Sequence, residues 1–256
     1  MAQELPDFSN AALFLDIDGT LVPIAANPAA VKPSPLLPAL LRDAAKSLGG
    51  ALALVSGREI DSIVQVTANA VPYLAGSHGA EYRLGPDQPV LRPGPQPDLA
   101  GLIAQITQRT EAYPKVLIEP KRAGIAVHYR LAPHLSTHLR EMLRELLSEG
   151  GRSDLSLLQG DHVLEIRSPA HNKGEAVTRL MAQKPFQGRR PVFIGDDVTD
   201  EDAFAVVIAM GGVAIIVGER RPTLAKAELG SPEDVLALLG RLGAAPLTPP
   251  AAAPGG

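Results

Sequence analysis

ALFLDIDGT, residues 12–20, decides how the rest of the chain is read. An apolar run, the pattern of a buried strand, ends abruptly on Asp16, Ile17, Asp18, Gly19 and Thr20. Carboxylates at i and i+2 can converge on one point once the chain turns, and Gly19 permits the turn because glycine tolerates conformations closed to other residues. A hard divalent cation such as Mg2+ takes oxygen ligands and keeps several waters, so a carboxylate, a backbone carbonyl and a second carboxylate would suit it. Asp, Gly and Thr are also ordinary turn residues, and a plain strand-end turn accounts for the pentapeptide by itself. The surroundings decide between the two.

Outward from this stretch, short apolar runs alternate with helical patterns. ALALV (51–55), YLAGS (73–77), PVFIG (191–195) and VAIIVG (213–218) are expected as buried strands bounded by turn residues. Leu37, Leu40, Leu41, Ala44 and Leu48 fall at helical spacing between ALFLD (12–16) and ALALV, and Gly49-Gly50 closes that helix. Such alternation predicts an α/β fold with a Rossmann-like parallel sheet, which binds ligands beyond the carboxyl ends of its strands. The middle differs. Paired strands over 81–91, 116–130 and 154–167, with helices over 98–112 and 133–148, lack strict βα order and predict an inserted α+β domain. The expected organisation is a core of 1–80 plus 168–243, an insertion of 81–167, and a disordered Pro/Ala-rich tail of 244–256.

The second acidic stretch is GDDVTDED (195–202), after PVFI and before a helical pattern. Five acids in seven residues repel one another unless a cation or a helix N-terminus offsets them. Thr199 as helix cap, with Asp202 completing a capping box, explains part of the run. Asp196, Asp197 and Asp200 remain, at the same sheet edge as Asp16. Two smaller elements carry the complementary chemistry. Ser56-Gly57-Arg58 follows ALALV, where a hydroxyl and backbone N–H groups at a helix start can hold a phosphate. Lys173, before the helical pattern EAVTRLMAQ, can neutralise a phosphoryl oxygen and a nearby aspartate. Each is common alone. Their value lies in their position, because all four elements fall at strand-to-helix junctions.

The order DxDGT, SGR, NKG, GDDxTD resembles the haloacid dehalogenase superfamily of aspartate-nucleophile phosphohydrolases, and the insertion lies where one class of these enzymes carries an α/β cap. GSHGAEYR (76–83), IEPKRAGIAVHYR (118–130), HVLEIRSPAHNKG (162–174) and GDDVTDEDAF (195–204) narrow the likeness to trehalose-6-phosphate phosphatases. The family usually reads EIRP then glycine, where this chain has Glu165-Ile-Arg-Ser-Pro169-Ala. The resemblance implies that Asp16 attacks phosphorus to form an aspartyl phosphate, and that Asp18 is general acid and then general base. It implies Mg2+ on Asp16, the carbonyl of Asp18 and Asp196, with Asp197 or Asp200 completing the shell or orienting a water. Ser56 and Lys173 would stabilise the phosphoryl oxygens. Gly57, Arg58, His78, Glu119, Lys121, His128, Arg130 and Glu165 are the implied substrate contacts, and functional pairing with a trehalose-6-phosphate synthase is implied as well. Two rivals stay open: the same chemistry on another sugar phosphate, such as sucrose phosphate or a phosphosugar acid, and a silent metal- or phosphate-binding regulatory module.

Composition removes other classes. The 256 residues contain no cysteine, which excludes disulfide frameworks, thiol nucleophiles, thiolate zinc sites and iron–sulfur clusters. With 24 basic against 28 acidic residues, the chain lacks the basic excess that broad nucleic-acid binding needs. Seven of those acids lie in the two acidic motifs, so without them the balance reverses to 24 against 21. MAQELPDFSN has neither the basic start nor the apolar run of an export signal. The most apolar stretch, 203–217, is broken by Gly211-Gly212 and falls short of the ~20 residues that a bilayer demands. A cytoplasmic protein acting on a small sugar phosphate, with no membrane or nucleic-acid partner, is the expectation.

Overall fold

The computed structural model describes residues 5–24, 33–92 and 98–244. The chain opens with β1 (Ala11–Leu15), α1 (Leu37–Ser47), β2 (Leu52–Val55), α2 (Ile60–Thr67), β3 (Tyr73–Gly76) and β4 (Glu81–Leu84). Next come α3 (Ala100–Thr110), β5 (Leu117–Lys121), β6 (Gly124–His128), α4 (Ser136–Glu149), β7 (Ser156–Gly160) and β8 (Val163–Arg167). It closes with α5 (Lys173–Met181), β9 (Arg190–Gly195), α6 (Glu201–Ala209), β10 (Val213–Val217), β11 (Ala227–Leu229) and α7 (Pro232–Ala244). Among the described residues no helix is long and apolar enough to cross a membrane.

The first unit, up to Leu91 and from Lys173 onward, is built on a seven-stranded sheet ordered β11-β10-β9-β1-β2-β3-β4. All neighbours are parallel except β3 and β4. Strands β1, β2 and β9 read as near-continuous apolar runs because helices cover both sheet faces. The period of two sorts their side chains: Leu13 and Leu15 join a core with α1, α2 and α7, while Ala12 and Phe14 join one with α5 and α6. Leu37, Leu41 and Ala44 give α1 its buried stripe, with a proline in its first turn. From β1 the chain winds outward through β2 and β3, then returns to the other side of β1 at β9. The reversal places the crevice at the carboxyl ends of β1 and β9.

The second unit, Arg92–Asn172, is an antiparallel sheet ordered β5-β6-β8-β7. Ile125, Val127, Leu164 and Ile166 alternate onto one face and share a core with Leu139, Met142, Leu143 and Leu146 of α4 and with α3. Register puts Glu119, Ala126 and Glu165 side by side on the opposite face. Both divisions differ from the expected 80/81 and 167/168. Residues 81–91 stay with the first unit because β4 extends its sheet, Tyr82 is buried in that core, and Leu91 bridges back to Tyr82. Ala244, expected to begin the tail, ends α7, and residues 245–256 lie outside the described ones.

Candidate active site

Asp16 follows the last residue of β1 and its N–H donates to the Ile194 carbonyl of β9 at 3.0 Å, so the sheet itself fixes where its carboxylate starts. It is buried, as are Lys173 and Asp200. Lys173, first residue of α5, reaches both: Nζ lies 2.9 Å from Asp16 Oδ2 and 2.7 Å from Asp200 Oδ1. Asp200 Oδ2 in turn accepts the N–H groups of Asp196 and Asp197, at 3.0 and 2.9 Å. Thr20 Oγ1 donates to Asp196 Oδ1 at 3.2 Å. Gly19 has φ +77, and a Cβ there would overlap the Asp196 carboxylate, so a glycine is what lets the two loops close on each other.

One carboxylate oxygen each from Asp16, Asp196 and Asp200 lies within 4.8 Å of the others, and among the described residues this is the cluster able to hold a metal ion. The donors are all hard oxygens, as Mg2+ requires. Burial first, and then the neighbouring carboxylates, push the Asp16 and Asp196 carboxyls well above their ordinary range even though Lys173 pulls the other way. For Lys173 the balance is reversed: burial lowers its pKa, but the two carboxylates outweigh burial and keep it charged. A site whose acids resist ionisation together is one that a cation would complete. Asp200 meets the spacing, yet Lys173 and two backbone amides already occupy its oxygens. Asp16 and Asp196 each have one oxygen engaged, by Lys173 and by Thr20.

The geometry gives several of the expected residues partners of their own. Asp197 stands outside the cluster. With Asp200 it forms the reciprocal capping box of a 3-10 turn, Val198–Asp200, that precedes α6, so the cap lies two residues before the expected Thr199. The carboxylate of Asp18 is also outside the cluster. Arg58, expected on substrate, holds it in a two-pronged pair, Nε to Oδ2 and Nη2 to Oδ1, both 2.6 Å. Ser56 is buried, and its hydroxyl accepts the Arg58 N–H at 3.3 Å. Gly57 backs directly onto the buried His78 imidazole, where a Cβ would overlap the ring.

On the second unit, His128 Nε2 lies 2.8 Å from Glu119 Oε2 and Lys121 Nζ 2.9 Å from Glu165 Oε1, four expected residues on one polar face. Arg130 does not join them. It binds Asp161 at the β7–β8 turn, through both its carbonyl and its carboxylate. Three contributors escaped the sequence reading: Thr20, Arg220, and Glu81. Arg220 donates to the Asp196 carbonyl at 3.1 Å. Buried Glu81 accepts the Ile60 N–H at 2.9 Å and so anchors α2 behind Arg58. Thr20 and Glu81 were visible within DIDGT and GSHGAEYR; Arg220 is a single charge in a loop outside every motif.

A family model described as trehalose-phosphatase matches residues 14–231. A probable trehalose-phosphate phosphatase of Sinorhizobium fredii is 44% identical over 238 residues, covering 93% of this chain and 88% of that protein. The trehalose-6-phosphate phosphatase of Escherichia coli is 38% identical over 220 residues, covering 84% and 80%. Among solved structures, the C-terminal domain of the Candida albicans trehalose-6-phosphate phosphatase shares the fold with a TM-score of 0.80, at 26% identity and 92% coverage of each chain. With the parallel sheet and the acidic centre at its carboxyl edge, these likenesses define a phosphatase, on a fold shared with a haloacid dehalogenase-like hydrolase of Bacteroides thetaiotaomicron at a TM-score of 0.64 and 12% identity. Within that class, the chain belongs to the trehalose-phosphatase family, and is by that membership a phosphoric monoester hydrolase.

Proposed function

We propose that the protein hydrolyses trehalose 6-phosphate to trehalose and phosphate, in two displacements, with Mg2+ bound. The observation that carries this is the buried Asp16 carboxylate at the end of β1, oriented by Lys173 and faced by Asp196 in a chain of this family. Asp16 forms the bond to phosphorus as the bond from phosphorus to the sugar oxygen breaks, and Asp18 delivers a proton to that oxygen. Asp18 then takes a proton from the water that attacks phosphorus, and the Asp16 carboxylate leaves. For Asp18 to do either, its carboxylate must part from Arg58. Asp16, Asp196 and the Asp18 carbonyl would hold Mg2+, which supplies positive charge against the repulsion between a carboxylate and a phosphate. Ser56 and Lys173 would steady the transferred phosphoryl oxygens.

The polar face carrying Glu119, Lys121, His128 and Glu165 would receive the sugar hydroxyls, since carboxylates accept from hydroxyls and an ammonium donates to them. A cell containing such an enzyme needs a source of its substrate, hence a trehalose-6-phosphate synthase as functional companion. A panel of sugar phosphates assayed on wild type and Lys121→Ala tests both points. Turnover should be far greater on trehalose 6-phosphate than on glucose 6-phosphate or sucrose phosphate. The variant should raise KM for the disaccharide while leaving p-nitrophenyl phosphate hydrolysis unchanged. Comparable wild-type turnover across the panel would sink the sugar assignment, and equal losses on both substrates would sink the assigned face.

The carboxyl chemistry also predicts how the metal and pH act together. The carboxyls of Asp16 and Asp196 titrate above the ordinary value of 3.8 in the folded protein, so the unfolded chain gives up those protons first. Without metal, their contribution to stability is therefore lost as pH climbs from that value into the neutral range. Mg2+ binds the ionised forms, so the increase in melting temperature on adding Mg2+ should grow between about pH 5 and about pH 8. Melts at both pH values, with and without Mg2+, check this. An increment that is flat or shrinks with pH contradicts it.

A further inference from the structure

Arg220 lies on the loop between β10 and β11, outside every motif that the sequence displays. Its Nε donates to the main-chain carbonyl of Asp196 at 3.1 Å and its Nη1 to the Pro222 carbonyl at 3.0 Å. Its Nη2 pairs with the carboxylate of Glu201, first residue of α6. The other oxygen of Glu201 accepts the Leu224 N–H at 2.9 Å. One guanidinium thus ties together the end of β9, the start of α6 and the β10–β11 loop.

The place where it does so matters. The β9–β10 ladder ends at the pair Gly195–Ile216, so the Asp196 carbonyl lies just past the last hydrogen bond the sheet can give it. Arg220 supplies the missing donor. Asp196 is then held at three separate groups: its N–H by Asp200, its Oδ1 by Thr20, and its carbonyl by Arg220. We infer that Arg220, braced by Glu201, is a positioning residue for the cation site, fixing the main chain at Asp196 and with it the direction in which that carboxylate is presented. This rests on the reading of Asp16 and Asp196 as Mg2+ ligands.

Charge and position give opposite signs here, which makes the role testable. Arg220 is a cation beside a cation site, so if it acted through its charge alone, removing it would tighten Mg2+ binding. A positioning role predicts the reverse, because groups that orient metal ligands typically carry about 10–100-fold of the affinity. Lysine keeps the charge but loses the planar fork that spans three acceptors. Mg2+ is titrated calorimetrically into wild type, Arg220→Gln, Arg220→Lys, Glu201→Gln and Asp196→Asn, with Mn2+ binding read by electron paramagnetic resonance and melts taken without metal.

Arg220→Gln and Arg220→Lys should both weaken Mg2+ by about tenfold or more, with Glu201→Gln in the same direction and the metal-free melting temperatures close to wild type. Wild-type or tighter affinity in the Arg220 variants overturns the inference, as does a fall confined to metal-free stability. Should Arg220→Gln fail to fold, the Lys and Glu201 variants decide by the same criterion. Asp196→Asn separates the two readings. If it abolishes binding while the Arg220 variants bind normally, only the role of Arg220 falls; if it binds as wild type does, the ligand reading falls and this inference with it.

Discussion

Asp16→Asn is expected to lower kcat on trehalose 6-phosphate on the order of 10⁴-fold or more, the usual consequence of removing a nucleophile, while the protein melts at or above the wild-type temperature. The asparagine has the same shape and its carbonyl oxygen can still accept from Lys173, so the packing at the end of β1 survives. It cannot form an acyl phosphate. It also removes one negative charge from a buried group of acids that repel one another, which favours folding in the absence of metal. Phosphate release and a thermal melt on the same preparation read both effects. Activity within tenfold of wild type would remove Asp16 from its role, and a collapse in stability would show the carboxylate to be a strut.

The second large effect is on stability. Lys173 Nζ sits between Asp16 and Asp200 with almost no exposure, 2% for its own side chain. Lys173→Met fills nearly the same volume and leaves two buried carboxylates without their cation. Breaking such an arrangement from one side typically costs about 3–5 kcal/mol, and at about 2–4 °C per kcal/mol in a chain of this size the melting temperature falls by roughly 10 °C. Activity disappears too, because Asp16 loses its orientation. Pairing the change with Asp200→Asn should return much of the stability and none of the activity, since the asparagine carbonyl can still accept the Asp196 and Asp197 amides. A Lys173→Met protein as stable as wild type would show that the lysine balances no buried charge.

Much of this was legible because the residues that build the site are also the ones that end strands. ALFLD and PVFIG, each an apolar run ending in Asp or Gly, predict buried strands, and the structure pairs them as neighbours, Leu15 with Ile194. Asp16, Lys173, Asp196 and Asp200 then come together as their junctions require. What the sequence left hidden depends on pairings across long separations. That Arg58 would pair with Asp18 depends on where α2 starts, and there buried Glu81 of β4 accepts the Ile60 N–H. The expected cap at Thr199 moved to Asp197 because a 3-10 turn, which shares its local signals with the helix that follows, comes first. Arg130 sits two residues from His128 in sequence, but β6 ends at His128, so the arginine turns to Asp161 instead. β4 read as part of the insertion because an antiparallel edge strand breaks the βα alternation that marks the core.

The central claim is that Asp16 becomes phosphorylated during turnover. Wild-type protein mixed with trehalose 6-phosphate and Mg2+, quenched in acid within the first turnovers and digested, should yield the peptide containing residues 12–20 carrying one added phosphoryl group. Fragmentation should place it on Asp16, and the group should be absent from Asp16→Asn. Steady phosphate release with that peptide unmodified at every quench time, or with the phosphoryl group on another residue, would contradict the account.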